Sequence, residues 1–371
     1  MAKDVVVVTW KGEGNFGTCL QSYALNKILD KLGYQVKFLP SIPEYYSVML
    51  DIKWFFKCLG LKKLKDAIKK RRMTILEKKR AKFHNKAYNE IVIYTKWQEK
   101  RLVSHTDCFI TGSDQIWNTF YNFSPFYFLS FVGSCKRVAY ASSIGTNSVK
   151  EDYKNAVREL LHKFNHIGVR EKEAVRVLTD LTGRSDIIQV VDPTFLLSPN
   201  DWRELASNAE YEKELPEEYI FCYLIGNNPW YKDYLKDVHS IIGIKNIIII
   251  PSAENPDFSC EGAITYQNAS PIEFVDLLQK AKFVCTDSFH ATALSINYSV
   301  PFVEFLRFKD DDMQSQNSRI YDLLNHYGLM ERIYHKESSK WKDAIDYLSV
   351  QDVLSCDRQK SMDYLVNAIE H

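Results

Sequence analysis

Polar residues follow an apolar, strand-like run at residues 286–292, where the sequence reads TDSFHAT. His290 falls within the first turn of the predicted helix, close to unpaired backbone amides and to the positive end of the helix dipole. That position favours a bound anion, and an imidazole there could donate a hydrogen bond to it or shuttle a proton. The alternative is that Asp287 or Ser288 simply caps the helix and that His290 lies beside the cap.

A second polar segment, TGSDQIWN at residues 111–118, follows the apolar run CFI. It lies at the carboxyl end of a predicted parallel strand, which is the edge where open α/β sheets bind ligands. A carboxylate, an amide and an indole at this edge would suit the hydroxyl groups and the ring face of a sugar. The residues that would supply these contacts are Ser113, Asp114, Gln115 and Trp117. The alternative is that Ser113 or Asp114 only caps the next helix.

Two arginines stand where they could clamp an anionic substrate. Arg170 follows the predicted strand that reads HIGV, and Arg319 lies in the run NSRI. A guanidinium at the carboxyl edge of a strand matches the geometry of a carboxylate or a phosphate. Most arginines of this kind, however, form solvated ion pairs of small energetic value.

The segment GEGNFG at residues 12–17 has the spacing G-x-G-x-x-G between a strand and a helix, which is typical of dinucleotide-binding sites. The following strand ends in KFLP and offers no acidic residue for a ribose, so this interpretation is disfavoured. We expect instead a turn that brings backbone amides and Asn15 to the floor of a cleft, where Asn15 would contact a sugar. A tight turn without a ligand is the alternative.

Alternating strands and helices must position these residues. Residues 4–39 read as a βαβ unit, and the same alternation returns between residues 108 and 191 and again between 219 and 305. It predicts an α/β protein with parallel sheets, here two Rossmann-like domains that face each other across a cleft. The expected ranges are 1–198 for the first domain with a helical insertion at about 41–105, 199–345 for the second, and 346–371 for a C-terminal helix that packs back on the first domain.

Composition limits the class of protein. The 371 residues are 46% hydrophobic and 26% charged, as in globular proteins, and the formal net charge of +1 gives no support for nucleic-acid binding. The chain begins with a strand-like run instead of a signal peptide, and it has no apolar stretch of the ~18 residues that span a membrane. Its eight cysteines show no metal-ligand spacing, so we expect reduced thiols in a cytoplasmic protein, with no metal and no cofactor.

Positive charge is concentrated in residues 52–82, which contain 13 Lys or Arg against two acidic residues. Tryptophan and phenylalanine at positions 54–56 interrupt the lysines. This composition is similar to that of an interfacial helix whose cations meet anionic lipid headgroups, so peripheral contact with the inner face of a membrane is one prediction. The alternative is a helical hairpin that buries its aromatic residues against the first domain.

Taken together, the motifs resemble those of the polysaccharide pyruvyl transferase family. They occur in the family's order between about residues 5 and 330, as NFGTCLQSYAL, ITGSDQIWN, YASSIG, VREKEA, VVDPTFLL, TDSFHATALSI, PFVEF and NSRI. The resemblance implies a glycosyltransferase-B-like fold, in agreement with the two predicted domains. It also implies transfer of a pyruvyl group from phosphoenolpyruvate to a sugar of a cell-surface polysaccharide, such as a capsule or exopolysaccharide, or of its lipid-linked precursor.

The resemblance also implies roles for individual residues. The family's histidine matches His290, which would act as general acid or base, and its anion-binding arginine matches Arg170. Where the family often has glycine after the SFH run, this chain has Ala291, a departure that affects how closely the backbone approaches a ligand. The complete set of expected contacts is Arg170, Arg319, Ser288 and Asp287 for phosphoenolpyruvate, and Asn15, Ser113, Asp114, Gln115 and Trp117 for the acceptor sugar.

The two predicted domains would divide the substrates between them. We expect the first domain on the acceptor side and the second on the donor side, with an acceptor that could be carried on a lipid diphosphate. Two other functions stay open on the same scaffold. One is a glycosyltransferase of the B type that uses a nucleotide sugar, and the other is a non-catalytic sugar-binding or assembly protein.

Overall fold

A parallel β-sheet forms the first half of the chain in the computed structural model, which describes residues 2–12, 14–40, 73–121, 123–309 and 315–371. Its strands are β1 Asp4–Val8, β2 Gln35–Phe38, β3 Cys108–Thr111, β4 Lys136–Ser142, β5 His166–Val169 and β6 Ile187–Gln189. They are hydrogen-bonded in the order β2-β1-β3-β4-β5-β6. Because parallel sheets carry helices on both faces, their central strands are continuously apolar, and residues 5–8 of β1 are indeed fully buried.

Five helices belong to this first half within the described ranges. They are α1 Phe16–Lys31, α2 Ile75–Ala87, α3 Lys96–Ser104, α4 Lys154–Leu161 and α5 Lys172–Thr182. Asn15 begins α1, since its side-chain oxygen accepts a hydrogen bond from the Thr18 amide. Helices α2 and α3 form the described part of the predicted insertion, and each begins with a capping box.

A second parallel sheet follows two short connecting helices, α6 Pro193–Leu196 and α7 Pro199–Ala206. Its strands are β7 Ile220–Tyr223, β8 Ile247–Ile249, β9 Ile264–Thr265, β10 Phe283–Thr286 and β11 Phe302–Glu304, and its helices are α8 Tyr231–Ile242, α9 Pro271–Lys280, α10 Phe289–Tyr298 and α11 Asn317–His326. The strand order is β11-β10-β7-β8-β9. The sequence analysis had not predicted β9, because two residues are too few to show a strand pattern.

The predicted fold class is confirmed. Two Rossmann-like α/β domains, each with its own parallel sheet, face a common cleft as in glycosyltransferase-B-like proteins. One hydrophobic core cluster continues across the domain boundary. There, Phe16 of α1 stacks on Phe274 of α9 with 4.8 Å between the ring centroids. The amino-terminal end of α1 is therefore held against the second domain, next to the cleft.

The last helix, α12 Tyr347–Glu370, returns to the first sheet. The Tyr364 hydroxyl donates a hydrogen bond to the carbonyl of Ala139 in β4 at 2.9 Å. At the carboxyl end of α12, the ammonium groups of Lys3 and Lys136 donate to the Ile369 carbonyl at 3.1 and 3.0 Å. Two cations thus satisfy a carbonyl at the negative end of the helix dipole.

Residues 41–72 lie outside the described part of the chain. Most of the basic segment, residues 52–82, therefore has no structural description, and the two predictions made for it stay predictions there. Among the helices that are described, none combines the length and the apolar character needed to cross a membrane.

The described end of the basic segment belongs to α2 and contacts the second domain. The ammonium group of Lys79 lies 3.3 Å from the Glu273 carboxylate on α9, with both side chains largely buried. Lys82 forms an exposed ion pair with Glu210. Phe83, on the same helix, is fully buried among aromatic side chains of the first domain. Helix α2 thus connects the two domains, and these two lysines face protein carboxylates.

Candidate active site

His290 lies in the first turn of α10, directly after the strand β10. Ser288 caps this helix by accepting a hydrogen bond from the Ala291 amide at 3.5 Å. The imidazole is buried and packs against Gly17 of α1, in the other domain. A Cβ atom at position 17 would lie only 2.2 Å from His290 Nδ1. The close approach of the two domains at this point therefore requires glycine at position 17.

The other imidazole nitrogen faces a carboxylate that the sequence analysis did not assign. His290 Nε2 lies 3.4 Å from Asp192 Oδ2, although the two residues belong to different domains. The same oxygen accepts hydrogen bonds from Arg170 Nη1 at 2.9 Å and from the Ser113 hydroxyl at 3.2 Å. Asp192 Oδ1 accepts from the amide and the hydroxyl of Thr194. One buried carboxylate thus joins an imidazole, a guanidinium and a hydroxyl.

Opposing effects act on the pKa of Asp192. Burial alone would raise it, but the nearby His290, Arg170 and Thr194 amide together hold the pKa of the carboxyl well below its ordinary value. A visible signal for this residue was the Asp-Pro pair that follows β6. An aspartate before proline is equally typical of a helix start, and Asp192 does cap α6, so the sequence could not separate the two roles.

Arg170 is buried at the end of β5 and carries two ion pairs. Besides Asp192, its Nε atom donates to Glu171 at 2.9 Å, and its guanidinium lies 4.4 Å from the centroid of the Phe289 ring. Burial would lower the pKa of Arg170, but Glu171 and Asp192 raise it above its ordinary value. The Nη2 atom of Arg170 has no hydrogen-bond partner. The residue is permanently charged and keeps one donor for a ligand.

Arg319 on α11 is a buried cation in a different situation. Its Nη2 atom donates to the Gln316 side chain at 2.7 Å, its Nε atom has no partner, and none of the described carboxylates lies within ion-pair distance. Burial and the charge of Arg170 lower the pKa of Arg319 to about 9. Arg170 and Arg319 line the same small cavity of about 100 Å³, so the structure brings these two predicted arginines together.

An open cleft of about 590 Å³ separates the carboxyl edges of the two sheets. Its volume is that of a typical small-molecule site. The polar side chains along it come from both domains: Asn15, Thr18, Asp114 and Gln115 from the first, and Asn227, Asn228, Glu254, Arg307, Lys309 and Gln316 from the second. Amides, carboxylates and cations at this density suit a ligand that carries many hydroxyl groups or an anion.

Three predicted sugar contacts do lie in this cleft. Asp114 accepts a hydrogen bond from the Thr18 hydroxyl at 2.6 Å and another from the Gln115 amide at 2.9 Å, and its backbone has a left-handed φ of 66°. Asn15 uses its side-chain oxygen to cap α1, which leaves the amide nitrogen for a ligand. With the side-chain amide of Gln115 turned so that its oxygen faces Arg319, this oxygen accepts a hydrogen bond from Arg319 Nη1 at 3.1 Å.

Two other predicted sugar contacts are corrected by the structure. The Trp117 indole is buried in the core of the first domain, where it stacks on Phe128 and donates to the Tyr127 carbonyl at 3.0 Å. Ser113 is fully buried, and its hydroxyl is bound to Asp192. Neither side chain lines the cleft, because the loop after β3 turns inward at Ser113 and again at Trp117.

The expected role of Asp287 is also corrected. Its carboxylate accepts hydrogen bonds from the amides of Ile225 and Gly226 and from the Tyr231 hydroxyl, at 2.6 to 2.8 Å, and lies 3.3 Å from Arg307 Nε. These partners occupy the carboxylate, and its negative charge would repel phosphoenolpyruvate instead of binding it. The Ser288 hydroxyl, the other predicted contact here, acts as the helix cap.

Arg307 is the cation that the sequence analysis missed. Its Nη2 atom donates to the Asp287 carbonyl at 3.0 Å, and it lines the cleft. Burial opposes its charge, but Asp287 raises the pKa of Arg307 above its ordinary value. It lies two residues after the run PFVEF and three residues after the end of β11, and this position was the available signal. Within the described ranges, no group of three or more His, Cys, Asp or Glu side chains could hold a metal ion.

Comparison with known proteins identifies one family and several solved structures of low sequence identity. A family model described as polysaccharide pyruvyl transferase matches residues 15–307, which is most of the chain. No curated protein matches the chain. The chain is similar in fold to UDP-N-acetylglucosamine 2-epimerase from Rickettsia bellii, with 9% identity, 100% of this chain and 98% of that chain covered, and a TM-score of 0.46.

Two further solved structures show a similar degree of likeness. UDP-GlcNAc 2-epimerase from Neisseria meningitidis, in complex with UDP-GlcNAc, has 8% identity over 98% of this chain and 100% of that chain, with a TM-score of 0.46. MurG from Acinetobacter baumannii has 10% identity over 100% of this chain and 95% of that chain, with a TM-score of 0.43. Likeness at this level carries no argument about substrates.

Proposed function

The chain belongs to the polysaccharide pyruvyl transferase family and is a transferase, and we propose that it moves a pyruvyl group from phosphoenolpyruvate onto a sugar of a cell-surface polysaccharide or of its lipid-linked precursor. The product is a cyclic ketal. A proton adds to the enol methylene, and one sugar hydroxyl attacks the adjacent carbon. Phosphate then leaves, and the second hydroxyl closes the ring on the resulting cation. The phosphate takes up the proton that this hydroxyl loses.

The donor is an anion with a carboxylate and a phosphate, so its site must supply fixed positive charge. Arg170 keeps an unpaired Nη2 donor, and Arg319 keeps an unpaired Nε donor, in one cavity. A buried cation without a counter-charge is costly, and an anion placed against Arg319 would offset that cost. Arg307 adds a third guanidinium on the cleft side, and its charge also acts on Arg319.

His290 is the group best suited to move the protons. It lies beside the arginines, and the carboxylate of Asp192 faces its Nε2 atom. This carboxylate stabilises the protonated imidazole and orients the ring, as the third member of a catalytic triad does. Proton transfer to the methylene carbon and from the attacking hydroxyl are both general acid-base steps. The negative charge of Asp192 and Glu171 would also favour the cationic intermediate that forms when phosphate leaves.

The acceptor sugar would lie in the open cleft against the first domain. Asp114 and the Asn15 amide can bind hydroxyl groups there, and Gln115 connects this wall to Arg319. The cleft volume of about 590 Å³ leaves room for more than one sugar ring. The acceptor side then belongs to residues 1–198, and the donor site lies at the boundary with residues 199–345.

One observation carries this proposal. Asp192 Oδ2 binds Arg170 at 2.9 Å and lies 3.4 Å from His290, so an anion-binding group and a proton-transfer group share one carboxylate across the domain boundary. Membership of the polysaccharide pyruvyl transferase family supports this proposal.

The experiment is phosphate release from phosphoenolpyruvate in the presence of a panel of glycan acceptors. Wild-type protein should release phosphate only with a matching acceptor, and both His290→Ala and Arg170→Ala should abolish the release. His162→Ala is the matched control, because His162 is exposed at the end of α4, just before the amino end of β5, and the cleft lies at the carboxyl edge of the sheet. Release that is undiminished in both site variants would refute the site assignment.

A nucleotide-sugar glycosyltransferase is the second candidate for the same scaffold. It predicts that UDP or GDP raises the melting temperature of the protein and that phosphoenolpyruvate does not. The reverse result is expected here, because the unpaired donors are on arginines that suit a compact anion.

A further inference from the structure

Aromatic side chains line the cleft on both sides of its mouth. On the first domain, Trp10 follows β1 and Tyr121 follows the polar loop after β3. On the second domain, Trp230 immediately precedes α8. Tyr121 is 78% exposed. Since tyrosine and tryptophan combine a flat apolar face with a polar edge, they suit surfaces where a partly hydrated ring must be held.

The two aromatic residues of the first domain form one anchored unit. The rings of Trp10 and Tyr121 lie 6.2 Å apart at an angle of 59°. Trp10 also meets Tyr127 edge to face, at 6.2 Å and 88°. Tyr127 is buried, and its carbonyl accepts hydrogen bonds from the Trp117 indole at 3.0 Å and from the Thr111 hydroxyl at 2.7 Å. The Trp10 ring is therefore fixed to the domain core before any ligand binds.

Hydrogen-bonding groups lie along the same cleft. The carboxylate of Asp114 and the amide nitrogen of Asn15 belong to the wall that also carries Trp10. Glu254 and Asn228 lie on the opposite wall, with Trp230. A pyranose ring presents an apolar C–H face and a rim of hydroxyl groups, so it needs this combination of a flat aromatic surface with carboxylates and amides at its edge.

We propose that Trp10 and Tyr121 form the stacking platform for a pyranose ring of the acceptor glycan, with Trp230 closing the site from the second domain. The inference rests on the proposed function, and it assigns to this platform the choice of acceptor. The ring held there is an uncharged sugar of the glycan chain, and its hydroxyl groups point toward Asp114 and Asn15. The stacking role that the sequence analysis gave to Trp117 thus belongs to Trp10, which Trp117 supports through the Tyr127 carbonyl.

The test separates the acceptor from the donor. With Trp10→Ala and Tyr121→Ala, the KM for the acceptor glycan should rise about tenfold or more, while the KM for phosphoenolpyruvate and kcat at saturating acceptor change less than about twofold. Trp10→Phe keeps a flat ring and should recover most of the acceptor affinity. Trp97→Ala is the matched control, because Trp97 is 65% exposed on α3 and packs on Arg101 outside the cleft.

Unchanged acceptor KM in Tyr121→Ala would overturn the proposal, and this variant decides the matter if Trp10→Ala does not fold. Saturation-transfer NMR in the absence of phosphoenolpyruvate measures binding of the glycan alone and gives an independent readout. If wild-type protein transfers no pyruvyl group but still binds the glycan through Tyr121, the platform stands and the proposed function fails. Binding of free UDP that is lost in Tyr121→Ala, with no glycan binding, would show a nucleobase platform and refute the inference.

Discussion

Gly17 and His290 lie against each other across the boundary between the two domains. A Cβ atom on Gly17 would come within 2.2 Å of His290 Nδ1, a distance that no real Cβ contact reaches. Glycine at this position is therefore what lets the imidazole occupy its place beside Asp192. The third glycine of the segment GEGNFG, residues 12–17, is thus required by this contact.

Gly17→Ala should displace the imidazole and lower kcat by about 100-fold, since a shift of about 1 Å in a catalytic group has an effect of that size. In an ordinary helix, this substitution would stabilise the protein by about 0.5–1 kcal/mol. A lower melting temperature would thus report the clash. The double variant Gly17→Ala/His290→Ala should regain only part of the melting temperature, because the Cβ atom of residue 290 would still lie 2.9 Å from the new Cβ atom at position 17. It should stay inactive. Full activity and an unchanged melting temperature in Gly17→Ala would contradict this account.

Asp192→Asn should reduce the free energy of unfolding by about 3–5 kcal/mol at neutral pH, because it leaves Arg170 buried with one partner fewer. The pKa of Asp192 is lowered in the folded chain. Its contribution to stability is therefore complete above the ordinary carboxyl pKa near 4 and is lost as the pH falls below it. The difference between wild type and variant should shrink accordingly toward about pH 3.

Urea unfolding between about pH 3 and pH 7 measures this difference. Asp152→Asn provides the control, because the Asp152 side chain is 73% exposed and its pair with Lys150 should contribute less than about 1 kcal/mol. A stability gap for Asp192→Asn that stays constant over the whole range would show that the carboxylate does not carry the pH dependence.

Arg319→Gln should raise the melting temperature of the free protein and abolish the further rise caused by phosphoenolpyruvate. Burial and Arg170 lower the pKa of Arg319 to about 9, so its charge costs stability at every pH below that value. A bound anion offsets the cost only in the wild type. Thermal shift measurements with and without phosphoenolpyruvate test this, with the exposed Arg176→Gln as control. An equal ligand-induced shift in wild type and Arg319→Gln would remove Arg319 from the donor site.

Lys79→Ala should destabilise the protein by about 3 kcal/mol, because it leaves the buried carboxylate of Glu273 without its cation. The side chains of Lys79 and Glu273 are only 11% and 2% exposed. The neighbouring pair of Lys82 and Glu210 is exposed, so Lys82→Ala should cost less than about 1 kcal/mol. Chemical unfolding of both variants gives the comparison. Equal effects would mean that α2 does not hold the domains together through Lys79.

Contact with anionic membranes stays a prediction from the sequence alone. Replacing the run KKRR at residues 69–72 by glutamines should weaken sedimentation with anionic vesicles, by about 1 kcal/mol for each charge removed. The effect should vanish at high salt and with neutral vesicles. If the wild-type protein does not sediment with anionic vesicles at low salt, the segment has no role at a membrane.

The local sequence determined the two parallel sheets and the edges at which ligands bind. Apolar runs that end in polar residues specify where a strand stops, and parallel strands bring these ends to one side of a sheet. This reasoning predicted cleft positions for His290, Arg170, Asp114 and Asn15. The structure places Asp114 and Asn15 along the cleft, Arg170 in the smaller cavity, and His290 at the domain boundary. Periodicity carries no information about which way a side chain turns after an irregular residue, so the burial of Trp117, after the left-handed Asp114, escaped prediction.

Only the tertiary structure decided which of these groups meet. Arg170 meets Asp192 within the first domain, whereas Gly17 and Asp192 meet His290 where α10 packs against that domain. The pairing of Asp192 with His290 depends on that packing alone. Contacts between domains are set by the complementary shapes of whole surfaces, which no local pattern of residue types encodes.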